Sequence, residues 1–195
     1  MTVGSPAQID PRIERSRQAV LSAALEELAE VGYGAFAIES VAARSGVAKS
    51  TIYRHWKDKV ALIGDAFETF HQQQGPDLAS GSPRERLERI VRHVSEIVGH
   101  SIFSACIPAL IDGAARDPHL RSFHHRFQLE ARRPLVAVIA EASNAGDMPV
   151  GTDPEVAAEA LLGVIFYRRL MSSEPFDPMR AGKLIDALFG SDGGL

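Results

Sequence analysis

The stretch "IESVAARSGVAKSTIYRHWKDK", residues 38–59, contains two short amphipathic patterns separated by a glycine. The first covers about Ile38–Ser45, and Gly46 ends it, because glycine readily adopts the left-handed conformation that closes a helix. The second covers about Lys49–Trp56 and places its apolar residues, Ile52 among them, on one face. Two short helices joined by a tight glycine turn predict a helix-turn-helix.

The polar side of the second helix is rich in basic and hydroxyl side chains. Residues 44–59 carry an excess of four positive charges, whereas the whole chain of 195 residues has a formal net charge of −4. A basic surface on an otherwise acidic protein favours an anionic partner such as DNA. In a helix-turn-helix the second helix enters the major groove, where Arg and Lys side chains neutralise phosphates. An ordinary solvated helix face is the alternative, and the spacing of the short helices disfavours it.

Helical periodicity extends over the rest of the chain, and no segment alternates with period two over a useful length. Three Asp-Pro pairs, beginning at Asp117, Asp153 and Asp177, are typical helix starts, because aspartate caps a helix and proline suits its first turn. A linker rich in Gly, Pro and Ser covers 75–86. The predicted fold class is therefore all-α, with about nine helices. We expect them at about residues 11–31, 38–45, 49–56 and 58–72, from residue 83 onward, and over 101–117, 117–145, 153–172 and 178–189.

Composition and motif content argue against several classes of protein. The single cysteine, Cys106, cannot form a disulfide within the chain or a multi-cysteine metal site, and it looks buried and inert. We expect a cytoplasmic protein without membrane contact, because no signal-peptide core and no bilayer-spanning apolar run is evident.

His119, His124 and His125 lack metal-site spacing. Without a nucleophile, phosphate-loop or dinucleotide motif we expect no cofactor and no enzymatic activity, and an enzyme with an apolar pocket is a weaker alternative.

Residues 17–63 resemble the N-terminal module of the TetR/AcrR family of transcriptional regulators. The matching landmarks are Ala23-Ala24, Gly32, Val41-Ala42, the turn Ser45-Gly46-Val47, Thr51–Trp56 and Lys59. The resemblance implies a three-helix helix-turn-helix DNA-binding domain over 1–57, followed by a helical-bundle ligand-binding and dimerisation domain over 58–195. It also implies a ligand-responsive regulator, most often a repressor, that binds a palindromic double-stranded operator as a homodimer and is released by a small molecule.

Candidate DNA contacts are cationic, hydroxyl or imidazole side chains in or beside the third helix. Most of them match family positions that usually touch phosphates, bases or the DNA backbone. The predicted DNA-binding residues are Arg44, Lys49, Ser50, Thr51, Tyr53, Arg54, His55 and Lys59. Two positions depart from the family pattern, because Ala37 and Ala48 stand where a capping Thr or Ser is common. Each of the two helices that follow these alanines lacks a side-chain cap worth ~1 kcal/mol. Because this weakens the helix-turn-helix, the alternative function is a helical ligand-binding protein with a degenerate DNA-binding module.

The helix expected at about 153–172 is apolar almost all round. One chain's core would leave part of that surface exposed, so we expect a homodimer through the helices at about 153–172 and 178–189. A buried central helix of a monomer is the alternative. The resemblance also implies a small-molecule pocket in the body for an effector of unknown identity, although each candidate could equally be a core residue. The candidate ligand-binding residues are Phe103, Cys106, Ile107, Phe123, Phe127 and Phe166.

Overall fold

A computed structural model describes residues 11–73 and 75–190, which form helices and their connections without any strand. The α-helices in this part of the chain are α1 (Pro11–Ala35), α2 (Ile38–Ser45), α3 (Lys49–His55), α4 (Lys59–Gln73), α5 (Pro83–His100), α6 (Ile102–Arg116), α7 (Pro118–Ala145), α8 (Pro154–Met171) and α9 (Ala181–Phe189). A 3₁₀ turn, Pro178–Arg180, precedes α9. The all-α prediction of about nine helices is confirmed. The outer ends of the two predicted domains, 1–10 and 191–195, lie outside the described residues.

The helix boundaries follow local chemistry. Gly46 ends α2 with φ 69°, and its N–H donates to the carbonyl of Ala42. Each of the three expected Asp caps accepts hydrogen bonds from the first turn of its helix: Asp117 for α7, Asp153 for α8 and Asp177 for the 3₁₀ turn. The helices α2 and α3 have no side-chain cap, because Ala37 and Ala48 precede them. The first helix continues to Ala35, although Gly32 interrupts its helical dihedral angles.

The N-terminal helices share one core with the body. The first helix packs against α2, α4 and α6, and its longest contact is with α6. Phe67 of α4 is fully buried and meets Phe103, Phe123 and Phe127 at ring-centroid distances of 5.1, 6.4 and 5.8 Å. We call these four residues the aromatic cluster. Since α4 also follows directly on the helix-turn-helix, it joins α3, the second helix of that motif, to the centre of the body. We call α3 the recognition helix.

Tyr33, near the end of α1, fixes the corner between α6 and α7. Its hydroxyl donates a hydrogen bond to the carboxylate of Asp117. Its ring lies against Gly113, where an added Cβ would come within 2.6 Å of the ring and of Leu120. Lys59 closes the other side, with its Nζ 3.9 Å from the ring centroid and 3.1 Å from the carbonyl oxygen of Tyr33. Only glycine at position 113 allows this approach.

Within the described residues no single helix is long and apolar enough to cross a membrane. Only α5 and α6 taken together, bent by 76°, reach the length and composition of a span.

Replacing Gly113 with alanine tests the close approach of Tyr33. The new methyl group overlaps the Tyr33 ring and Leu120, so we expect Gly113→Ala to lower the free energy of unfolding by about 1–3 kcal/mol. Urea titration followed by far-UV circular dichroism measures this change. The matched control is Gly34→Ala in α1, where a Cβ meets nothing within 4 Å. Equal stability of the two variants would show that the contact is not tight.

Candidate DNA-binding surface and effector cavity

The recognition face is the solvent-exposed side of α3, formed by Ser50, Tyr53, Arg54 and His55. Ile52 is fully buried on the opposite side and anchors the helix to the core. Within the described residues Arg54 forms no ion pair or hydrogen bond, so its guanidinium points into solvent. The arrangement presents a cation, an imidazole and two hydroxyls together, and such groups can hydrogen-bond phosphates and base edges.

Two other cations near α3 are already paired with glutamates. The Arg44 guanidinium contacts Glu30 and also Glu27, the latter at 2.9 Å, and Glu27 is almost fully buried. Lys49 hydrogen-bonds Glu39 of α2. That bond raises the pKa of Lys49 and lowers the pKa of Glu39, so both groups stay charged near neutral pH. The positive charge counted in the sequence is therefore partly neutralised by α1 and α2.

Asp65 of α4 holds the C-terminal end of the recognition helix. One carboxylate oxygen accepts a hydrogen bond from Nε1 of Trp56 at 2.8 Å, and the other accepts one from Nη2 of Arg17 at 2.5 Å. Trp56 is the residue directly after α3 and is itself buried. One side chain thus sets the position of α3 relative to both α1 and α4.

The body contains a cavity between α4, α5, α6, α7 and α8. It has two adjoining chambers, a small one of about 90 Å³ and a large one of about 270 Å³, which share Phe103, Gln128, Leu162 and Phe166 in their walls. The small chamber is otherwise lined mainly by aliphatic residues of α5 and by Phe70 and Phe127. Its polar side chains are His71, His93, Gln128 and Arg132. Such an apolar pocket with a few polar groups is typical of a small-molecule site.

Two family models cover most of this chain. Residues 20–66 match the bacterial regulatory proteins of the tetR family, and residues 76–188 match the tetracyclin repressor-like C-terminal domain. The chain belongs to the TetR family of bacterial transcriptional regulators.

Curated relatives of this TetR-family chain are also described as transcriptional regulators. The uncharacterized HTH-type transcriptional regulator YdeS of Bacillus subtilis is 30% identical over 167 residues, which are 84% of this chain and 83% of the relative. The DNA-binding transcriptional repressor TetR of Mycobacteroides abscessus is 28% identical over 184 residues, which are 90% of this chain and 92% of the relative. These relatives are transcriptional regulators and not enzymes.

Solved structures of similar fold include two with bound ligands. The transcriptional regulator FadR from Bacillus subtilis, in complex with stearoyl-CoA, has a TM-score of 0.72 at 20% identity and covers 89% of this chain and 98% of its own. AibR, in complex with isovaleryl coenzyme A and operator DNA, has a TM-score of 0.67 at 20% identity and covers 90% of this chain and 98% of its own. At these identities the likeness shows a shared fold.

The structure of this TetR-family regulator places the candidate ligand-binding residues in three different surroundings. Phe103 and Phe166 line both chambers, Phe127 lines the small one and Ile107 the large one. Phe123 lies on another side of α7, where its ring contacts Gly64 and lines a surface cleft beside α4. Cys106 lines neither chamber, because α6 turns it towards α1. A helical pattern in the sequence identifies an apolar face without showing which neighbour it meets.

Several residues important to this geometry were not recognised from the sequence. Tyr33 and Asp65 join the recognition helix to the body, but their partners Asp117 and Arg17 are distant in the chain. Lys59 was expected to contact DNA, and in the structure it is half-buried against Tyr33. The only sequence signal for the cavity's polar groups was a histidine interrupting the apolar pattern of α4 and another in α5. Within the described residues no group of His, Cys, Asp and Glu could hold a metal ion.

Cys106 is a structural side chain. It is completely buried, and its thiol donates to the carbonyl of Leu25 at 3.2 Å. Burial raises the pKa of the Cys106 thiol to about 12, so the thiolate, which is the reactive form, is almost absent near neutral pH.

We expect Cys106 in the native protein not to react with the thiol reagent DTNB at pH 8. The same chain unfolded in urea should react completely within minutes, since its thiol then has an ordinary pKa. Absorbance of the released thionitrobenzoate measures both reactions. Rapid labelling of the folded protein would contradict the burial of this side chain.

Proposed function

We propose that this TetR-family regulator binds a palindromic double-stranded DNA operator as a homodimer, represses transcription there, and is released by a small-molecule effector. Residues 1–57 form the DNA-binding domain and 58–195 the ligand-binding and dimerisation domain. The observation that best supports DNA binding is the recognition face, where Arg54 and His55 project into solvent without an ion-pair partner in the described chain. A protein that binds the chromosome in this way works in the cytoplasm.

The candidate DNA-binding residues are proposed to differ in how directly they contact DNA. Ser50, Tyr53, Arg54 and His55 are exposed and can meet the DNA directly, with half-buried Thr51 at the edge of the same face. Arg44 and Lys49 are held by glutamates, so their net attraction for phosphate is weaker than their charge suggests. Lys59 acts mainly through Tyr33, because its ammonium group is bound to the carbonyl and ring of that residue.

The homodimer is proposed to form through an apolar outer face. On α8 this face comprises Val156, Ala160, Gly163, Tyr167 and Met171, which recur at three- and four-residue steps. Val156, Tyr167 and Met171 are 62%, 64% and 75% exposed. A row of large exposed apolar side chains is typical of a protein–protein interface, and a second copy of α8 and α9 would cover it in a four-helix bundle. Leu188 of α9 is also exposed.

Effector binding is proposed to reach DNA through α4. The aromatic cluster places Phe67 of α4 against the cavity wall, and Gly64 lies against Phe123 of α7. Asp65, next in the chain, holds Trp56 and therefore the end of α3. An effector that binds one position of α4 more tightly than another would change the separation of the two recognition helices. Among proteins of this fold, FadR and AibR bind acyl-CoA molecules, which supports an effector with an aliphatic part.

The alternative, a ligand-binding protein with a degenerate DNA-binding module, rests on the absence of side-chain caps at Ala37 and Ala48. The two functions differ in one measurement. Fluorescence anisotropy of DNA from immediately upstream of this protein's gene, titrated at several salt concentrations, should show tight binding with a steep salt dependence. Binding no tighter than to random DNA, followed by failure of a random-sequence selection, would favour the alternative.

Arg54→Ala should reduce the number of phosphate contacts. We expect weaker operator binding and a salt slope, log K against log[salt], that is flatter by about one. The matched control is Arg133→Ala, which removes an exposed arginine of α7 paired with Glu130. An unchanged slope in Arg54→Ala would remove this residue from the interface.

Glu39→Gln should have the opposite effect. It releases Lys49 from its hydrogen bond and removes a negative charge beside α3, so we expect operator affinity to rise several-fold at low salt. The anisotropy titration measures it, and the gain should shrink as salt screens the charges. Loss of affinity would mean that Glu39 positions Lys49 for DNA.

Tyr167→Arg should break the homodimer, because it buries two like charges in the apolar outer face. Sedimentation velocity should show monomers at concentrations where the wild type is dimeric, while circular dichroism shows unchanged helicity. Val150→Arg is the matched control, since Val150 is fully exposed in the loop before α8. A dimer that survives Tyr167→Arg would place the interface elsewhere.

A further inference from the structure

Two half-buried histidines face the small chamber from neighbouring helices. His71 belongs to α4 and His93 to α5, and both line its wall. Within the described residues neither imidazole forms a hydrogen bond, and the rings of His71 and Phe127 pack edge-to-face with centroids 5.7 Å apart. By contrast, His124 in the large chamber lies 3.1 Å from the Nε2 of Gln128. Polar groups left unpaired in an apolar cavity are costly unless a ligand or water satisfies them.

The charges around the small chamber favour an oxygen acceptor over an amine. No carboxylate lines this chamber. Its one permanent charge is the guanidinium of Arg132, which forms ion pairs with Glu155 at 2.8 Å and with Glu159 at 2.7 Å. Glu159 lines the large chamber and is therefore already paired. An ammonium group in the chamber would therefore meet two imidazoles, the amide of Gln128 and a guanidinium, but no carboxylate. An oxygen atom would meet N–H donors, since each neutral imidazole carries one.

The shape of the cavity requires an elongated molecule. The small chamber, at about 90 Å³, lies well below the usual volume of a ligand pocket, whereas the large chamber of about 270 Å³ adjoins it past Phe103 and Phe166. Ile107, Leu110 and Leu162 make the wall of the large chamber mostly apolar. A polar end near the histidines and an aliphatic chain in the large chamber would fill both.

We propose that His71 and His93 bind the acyl oxygen of the effector, with its aliphatic chain in the large chamber. The inference rests on the proposed function in treating this cavity as the effector site. An acyl oxygen can accept one N–H from each imidazole. The same chemistry is found in a free fatty acid and in an ester or thioester, and the two sources differ in charge.

Charge makes the two sources distinguishable by pH. Burial lowers the pKa of both His71 and His93, so both imidazoles are neutral in the empty site at pH 7 to 8. A bound carboxylate raises the pKa of the imidazoles, so binding takes up a proton, and affinity falls as the pH rises through the bound-state pKa. An uncharged ester lacks this dependence.

The other charged groups near the histidines belong to three helices. Glu96 on α5 acts on His93, and Arg132 on α7 lines the same chamber. Glu68, Arg126 and Glu130 border the outer groove that His71 also lines. All of these stay charged between pH 6 and 8. A third imidazole, His124, lies in the adjoining large chamber, and burial lowers its pKa as well.

Isothermal titration calorimetry of the full-length protein with sodium octanoate, methyl octanoate and octylamine, at pH 6 and pH 8, tests the proposal. We expect an acyl compound to bind at least about tenfold more tightly than octylamine. His71→Phe and His93→Phe should each weaken binding about 10- to 100-fold. His71→Gln, which keeps an N–H donor, should recover part of this loss, and His125→Gln, on the exposed side of α7, should bind as wild type does.

The pattern of binding identifies the source of the acyl group. If octanoate binds more tightly at pH 6 than at pH 8, the natural effector is a free fatty acid. If methyl octanoate binds equally tightly at both pH values, the natural effector is an ester or thioester. Octylamine binding as tightly as the acyl compounds would overturn the proposal. So would unchanged acyl affinity in the phenylalanine variants, or no binding of any probe.

Operator binding by the same samples separates this proposal from the proposed function. Acyl binding without DNA binding would contradict the proposed function alone, and DNA binding without acyl binding would contradict this proposal alone. Circular dichroism and thermal unfolding of each variant exclude misfolding, and His71→Gln supplies a second test at that position because it retains a polar side chain.

Discussion

The hydrogen bond from Tyr33 to Asp117 is the interaction on which the arrangement of the two parts of the molecule depends. It joins the end of α1 to the residue that caps α7, while the Tyr33 ring occupies space that only Gly113 leaves open. Lys59, the first residue of α4, holds the same tyrosine from the other side. The bond lowers the pKa of Asp117, so the cap keeps its charge. One side chain therefore fixes the helix-turn-helix against the body at α4, α6 and α7 together.

Glutamates of α1 and α2 adjust the charge beside the recognition helix. Glu27 is almost fully buried, and its pairing with Arg44 satisfies a carboxylate that would otherwise be costly inside the core. The exposed pair of Lys49 and Glu39 contributes little to stability, yet it reduces the positive potential that DNA meets. Within the described residues Arg54 forms no ion pair, whereas Arg44 and Lys49 do, so we expect a weaker nonspecific attraction for phosphates than the charge count of the sequence suggests.

The parts of the fold that could be predicted are those with local causes. Gly46 ends a helix through its own φ angle, and the Asp of an Asp-Pro pair starts one by accepting hydrogen bonds from the N–H groups two and three residues later. The contacts of Lys59 and Cys106 could not be predicted, because they depend on which distant segment packs beside them. Of the candidate ligand-binding residues, Phe103, Ile107, Phe127 and Phe166 line the cavity and Cys106 does not. Periodicity shows that a residue faces inward, whereas the three-dimensional packing decides whether a void or another helix lies there.

The position of α4 explains how a small cavity can influence a distant surface. Phe67 meets three other phenylalanines edge-on or nearly so, and rings packed at van der Waals distance cannot yield without moving their backbone. Only one residue, Ala66, lies between Asp65 and Phe67, and Asp65 is bound to Trp56 at the end of α3. Tyr33 meanwhile prevents the start of α4 from sliding freely along α1. Under the proposed function, a ligand that displaces Phe103 or Phe127 would act on a helix restrained at one end, and we expect the resulting motion to be a rotation of the recognition helix and not a shift of the whole module.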